Sequence, residues 1–205
     1  MNDRLAALEE DIGFLKALAT EGRPATLIGG SILVAAGLIF GLASLGQWAA
    51  LEGFLPRLSG WIFSGVWGVS LIAFMIAFAL IMRRLGPRKR EGGGSRAVNV
   101  AWSSAGISIF TLVVCAVIVA YRTGSDAPMA LLPSIILAHY GLAWSIAAVF
   151  AQRGWVWAAA VGSFVGAAVT AFFAGQAAIY LVYAAELVLL AVLPGAFLIR
   201  RAGVA

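Results

Sequence analysis

Long apolar runs separated by short polar punctuation set the pattern of this chain. Six of them, at about 27–48, 60–82, 97–121, 128–151, 154–175 and 177–199, approach or exceed 20 residues. At 1.5 Å rise per residue, a helix of that length matches the roughly 30 Å hydrocarbon thickness of a bilayer. The pattern predicts an all-α polytopic membrane protein with six transmembrane helices. Residues 2–20 differ: Leu5, Leu8, Ile12, Leu15 and Ala19 recur at 3–4 spacing against Arg4, Glu9, Glu10, Asp11 and Lys16. That periodicity predicts an amphipathic helix outside the membrane, weakened by Gly13. The chain therefore divides into an amphipathic helix (1–24), transmembrane helices 1–2 (25–82), a basic Gly-rich loop (83–96) and transmembrane helices 3–6 (97–201).

Composition agrees with the pattern. Hydrophobic residues make up 62% of the 205, charged residues only 11%, and the mean hydropathy is +0.99, outside the soluble globular range. No length remains for a second soluble domain. The first 23 residues lack the short apolar core and small-residue cleavage site of a signal peptide.

Charge sets the orientation. Arg83, Arg84, Arg88, Lys89, Arg90 and Arg96 crowd one loop, which the positive-inside rule assigns to the cytoplasm, in contact with anionic headgroups. Both termini then lie inside, leaving only Arg57 and Arg122 of the 14 Lys and Arg outside. Trp48, Trp61, Trp102, Tyr121, Trp155 and Trp157 fall near predicted interfaces, as an aromatic belt requires. Arg outnumbers Lys, and Ala and Gly abound, which suggests a GC-rich bacterial genome and so the bacterial inner membrane. Within the basic loop, Gly92-Gly93-Gly94-Ser95 reads as a flexible hinge between helices 1–2 and 3–6.

Several spans carry small residues at helix-packing spacing. Gly37 and Gly41 in helix 1, and Gly162 and Gly166 in helix 5, let neighbouring backbones approach closely, within one chain or between copies in a homo-oligomer. Ser104, Ser108, Thr111 and Cys115 form one stripe on helix 3, expected to face other helices or a cavity. Pro194 is expected to kink or end helix 6. Gly60-Trp61 with Gly68 resembles Gly154-Trp155 with Gly162, a short match that would relate helices 2 and 5 in a 3+3 inverted repeat.

Two ionisable side chains fall inside spans: His139 in helix 4 and Glu186 in helix 6. A carboxyl in hydrocarbon costs several kcal/mol unless it is paired, protonated or wetted, so it points to function. The expectation is a midplane proton or ion cluster of Glu186 and His139, with Tyr183, Tyr140, Thr111 and Ser108 at similar depth. The competing reading is a protonated Glu186 that locks two helices together. One His and one Cys make no metal site, and two-His haem ligation is ruled out. No cofactor is expected. No Gly-x-Ser-x-Gly surrounds any serine, so an enzyme is disfavoured. The basic loop lacks interleaved aromatics, so nucleic acid is not an expected partner.

Two functions follow. One is a small transport or permeation protein built on the midplane Glu–His site. The other is a non-catalytic membrane subunit or scaffold that binds partner proteins through its Gly/Ala seams and N-terminal helix.

Overall fold

The computed structural model describes residues 29–55, 60–85 and 93–202. The predicted amphipathic helix of residues 2–20 lies outside them. The described residues form helices and no strand: α1 (Gly30–Leu51), α2 (Gly60–Leu85), α3 (Gly93–Thr123), α4 (Ala127–Ala151), α5 (Gly154–Phe172) and α6 (Ala178–Leu187). A π-helical turn, Val188–Val192, continues α6 directly into α7 (Leu193–Ala202). Among the described residues six stretches are long and apolar enough to cross a membrane, the last being Ala178–Arg201 through the π turn. This is the build of a multi-pass membrane protein.

The helices pack as an open series, α3–α4–α5 joined to α6–π–α7, then α1, then α2. The order follows from which helices carry small or aromatic seams. In α1 the buried positions Gly30, Leu33, Ala36, Gly37, Gly41 and Ser44 repeat at 3–4 spacing and form the stripe facing α6–α7. A backbone-to-backbone crossing joins Gly30 to Gly195, where a Cβ on either would stand 2.7 Å from the other's carbonyl oxygen. Gly37 meets Val192, Ala191 and the Leu187 carbonyl in the same way. The α1 glycines thus serve a seam within one chain.

Helix α1 stops because Gly53 takes φ +82°, which frees the chain to fold back. The Phe54 N–H reaches Ala49 O at 2.9 Å, and the Phe54 ring packs on Trp48 with centroids 5.5 Å apart. This is the glycine-terminated helix end known as a Schellman motif.

One expectation changes. Helix α3 begins at Gly93, so Gly93–Arg96 are helical and not part of a hinge; Gly94, Ser95 and Val98 are buried in its first turns. Packing there outweighs the poor helix propensity of Gly. Trp102 and Trp155 also have partners inside the bundle. They stack edge-on against Trp144 with centroids 5.1 and 6.0 Å away, and Trp155 continues to Phe197 at 5.2 Å. Arg201 caps this aromatic column over the Phe197 ring at 4.3 Å.

Helix α2 is the outlier. None of the residues in its span Gly65–Arg84 is buried, and it leans on α1. What pins it is Gln47, whose side-chain oxygen accepts the Trp67 indole N–H. The Trp67 ring also faces Tyr180 at 6.4 Å.

Candidate functional site

The expected polar cluster separates into two places. On one side stands Glu186, on the face of α6 that meets α5. It accepts a hydrogen bond from the Thr170 hydroxyl through Oε2. One turn earlier on α5, Gly166 makes room for the carboxyl: a Cβ there would stand 3.0 Å from Glu186 Oε1. Gly166 and Thr170, four residues apart, therefore form a socket that only a small residue followed by a hydroxyl supplies. Glu186 is 9% exposed, and Tyr183, one turn away on the same helix, is buried beside it.

Two residues beyond Glu186 the backbone changes register. The Leu193 N–H donates to Val188 O, five residues back, which defines the π turn. Next comes Pro194, which has no N–H to offer the carbonyl four residues earlier, that of Leu190. That carbonyl instead accepts the Trp144 indole N–H at 3.1 Å, from a side chain with no exposed surface. From the α5 side, the Leu190 side chain lies where a Cβ on Gly162 would meet it at 3.1 Å. The turn beside Glu186 is thus held from α4 and from α5. Pro194 does not end the helix: α7 starts at Leu193 and carries the chain on to Ala202.

His139 lies elsewhere, on the α3 side of α4. Its Nε2 is 2.9 Å from Ser108 Oγ and its Nδ1 is 2.8 Å from Ile135 O. With Ile135 O accepting, Nδ1 carries the hydrogen and Nε2 accepts the Ser108 proton. Among the described residues neither Glu186 nor His139 bonds to the other. Tyr140 is buried and packs on Trp102, with ring centroids 5.5 Å apart. Thr111 joins neither place: it is exposed and returns its hydroxyl to Ile107 O at 2.9 Å. Back-bonding of this kind lets a threonine face lipid without an unmet donor, which a stripe argument from spacing overlooks.

Ser104 and Ser108, with His139, line an open groove of about 650 Å³ between α3 and α4, with Arg96 at one end. Cys115 lines a second groove farther along the same two helices. Among the basic positions, Arg83, Arg84 and Arg96 are exposed, and residues 88–90 lie outside the described set.

No family model, curated protein or solved structure matches the chain. Function must therefore be argued from the side chains. Among the described residues no three His, Cys, Asp or Glu side chains gather as a metal site would require. The Glu186 socket offers a carboxyl, a hydroxyl and a neighbouring phenol, the groups that exchange a proton or hold a small cation.

Two features escaped sequence reasoning. Gln47 is 3% exposed and holds α2. A glutamine that ends an otherwise apolar seam was the available signal. The Trp144–Leu190 bond was legible only as a debt: Pro194 leaves a carbonyl without its donor, and the sequence cannot say which helix supplies one.

Proposed function

We propose that this chain is a small transport or permeation protein in which Glu186 carries a proton or a cation. The observation that carries this reading is a carboxyl enclosed within a membrane span, seated on Gly166 and Thr170, two residues before a π turn. A structural lock needs only a hydrogen bond, which two amides or hydroxyls provide more cheaply than an acid in hydrocarbon. A π turn beside the acid adds a backbone register that can shift, and such turns gather at functional sites. Glu186 stands about 12 Å along the span from Ala178 and about 22 Å from Arg201, at 1.5 Å per residue. His139 with Ser108 is a second polar station on α4 and not the direct partner of Glu186.

Orientation belongs to the same proposal. Arg83, Arg84, Arg96, Arg153, Arg200 and Arg201 fall at ends that six alternating crossings place on one side, which the positive-inside rule makes cytoplasmic in a bacterial inner membrane. The test is reconstitution of the full chain in proteoliposomes with a pH dye and a potassium or sodium gradient. Glu186→Gln is expected to cut proton or cation flux at least tenfold while leaving thermal stability and elution volume unchanged. Flux that survives the substitution, or no flux from the unmodified chain, sinks the reading.

A second reading has its own observation. Helix α2 buries none of the residues of its span against its own chain, which suits a membrane subunit that presents this helix to a partner protein. A pull-down from native membranes in mild detergent tests it, with deletion of residues 2–20 as the second arm. Recovery of the chain alone counts against this reading.

A further inference from the structure

We propose that the groove between α3 and α4 holds one acyl chain of an anionic phospholipid, with the headgroup on Arg96. This inference does not depend on the Glu186 reading. The groove runs along α3 from Arg96 to Ser108, twelve residues or about 18 Å, close to the depth of one leaflet. Its volume of about 650 Å³ over that length leaves room for one extended hydrocarbon chain.

The walls explain the shape. Ala97, Ala101 and Ala105 follow at i, i+4 and i+8 on α3, so a strip of methyl groups faces Leu142 of α4 across the groove. At the deep end Ser108 and His139 satisfy one another and the Ile135 carbonyl, so the lining asks for no water there. At the shallow end Arg96 is exposed and forms no ion pair with any described residue. An apolar channel one leaflet deep with an exposed guanidinium at its mouth is complementary to a lipid carrying a phosphate monoanion. A zwitterionic lipid would meet Arg96 with a cation of its own.

The experiment is native mass spectrometry of the delipidated full chain in detergent. Phosphatidylglycerol and phosphatidylcholine with identical chains are supplied in equal amounts, and free glycerol phosphate is tested separately. One phosphatidylglycerol is expected to stay bound, at least fivefold over phosphatidylcholine, the factor one basic side chain commands at an anionic surface. Arg96→Gln should bring the two lipids to parity. Arg83→Gln with Arg84→Gln, on α2 and away from the groove, should leave the preference intact. Ala101→Phe, or Ser104→Phe at the exposed lip where folding is safer, should remove the bound lipid. Equal retention of both lipids by the unmodified chain overturns the proposal. So does a preference that survives Arg96→Gln, or a groove-filled variant that keeps its lipid. Binding of glycerol phosphate as tight as that of the whole lipid would reduce the site to an anion contact and overturn it as well.

Discussion

If Pro194 is what leaves the Leu190 carbonyl open to Trp144, the two residues must be coupled energetically. Trp144→Phe removes the indole donor and strands a buried carbonyl, at a cost of about 1–3 kcal/mol. It also removes part of a fully enclosed ring system. A cavity of some 40 Å³ at about 24 cal/mol per Å³ adds roughly 1 kcal/mol. The single substitution should therefore cost about 2–4 kcal/mol. Pro194→Ala puts an N–H back four residues beyond Leu190. In that background Trp144→Phe should cost only the cavity, about 1 kcal/mol, so the cycle should show a coupling of about 1–3 kcal/mol. The assay is reversible unfolding of all four proteins, by SDS titration in mixed micelles or by steric trapping in bicelles, with the same probe. Costs that add to within about 0.4 kcal/mol would show that the restored N–H does not reach Leu190, and the account of the π turn would fall.

Two further outcomes separate glycines and hydrogen bonds that matter from those that do not. Gly195→Ala should destabilise by about 1 kcal/mol net, because its Cβ meets the Gly30 carbonyl at 2.7 Å and overpacking outweighs the gain in helix propensity. Gly46→Ala, with nothing within 4 Å, should be neutral or stabilising by up to about 1 kcal/mol, and thermal shifts of the same sign would contradict the contrast. Trp67→Phe and Gln47→Leu should each cost about 0.6–1.7 kcal/mol, the range for hydrogen bonds within membranes, with the double variant no worse than the costlier single. Full additivity would mean that Gln47 and Trp67 act apart.

The architecture was legible because the bilayer leaves few choices. A run of about 20 apolar residues has to close its backbone hydrogen bonds on itself, so length and hydropathy alone yield helices. Helix ends were less legible. Gly93 and Gly94 carry a propensity for loop, and only the burial of Gly94, Ser95 and Val98 overrides it. Small-residue spacing marked Gly37, Gly162 and Gly166 as close approaches, but not their neighbours. That Gly166 meets a carboxyl and Gly37 a carbonyl is fixed by the order in which helices pack. Position along a span is readable from sequence and direction around the helix axis is not, which is why Glu186 and His139, expected at similar depth, face different helices.

That difference bears on mechanism. Had the carboxyl and imidazole met, the pair could have exchanged a proton directly, and one polar station would have served the whole crossing. Instead the acid faces α5 and the imidazole faces α3, with the Trp144 column filling the space inside α4. A proton or cation carried by Glu186 must then enter and leave along the α5–α6 seam. The elements that can yield there are the Thr170 hydroxyl and the π turn held by Trp144. Loosening that grip without touching the acid is the cleanest probe of the route. Pro194→Ala, which gives the Leu190 carbonyl a helical partner and regularises the turn, should slow flux while leaving Glu186 in its socket. A rate unchanged by a straightened helix would place the moving part elsewhere in the bundle.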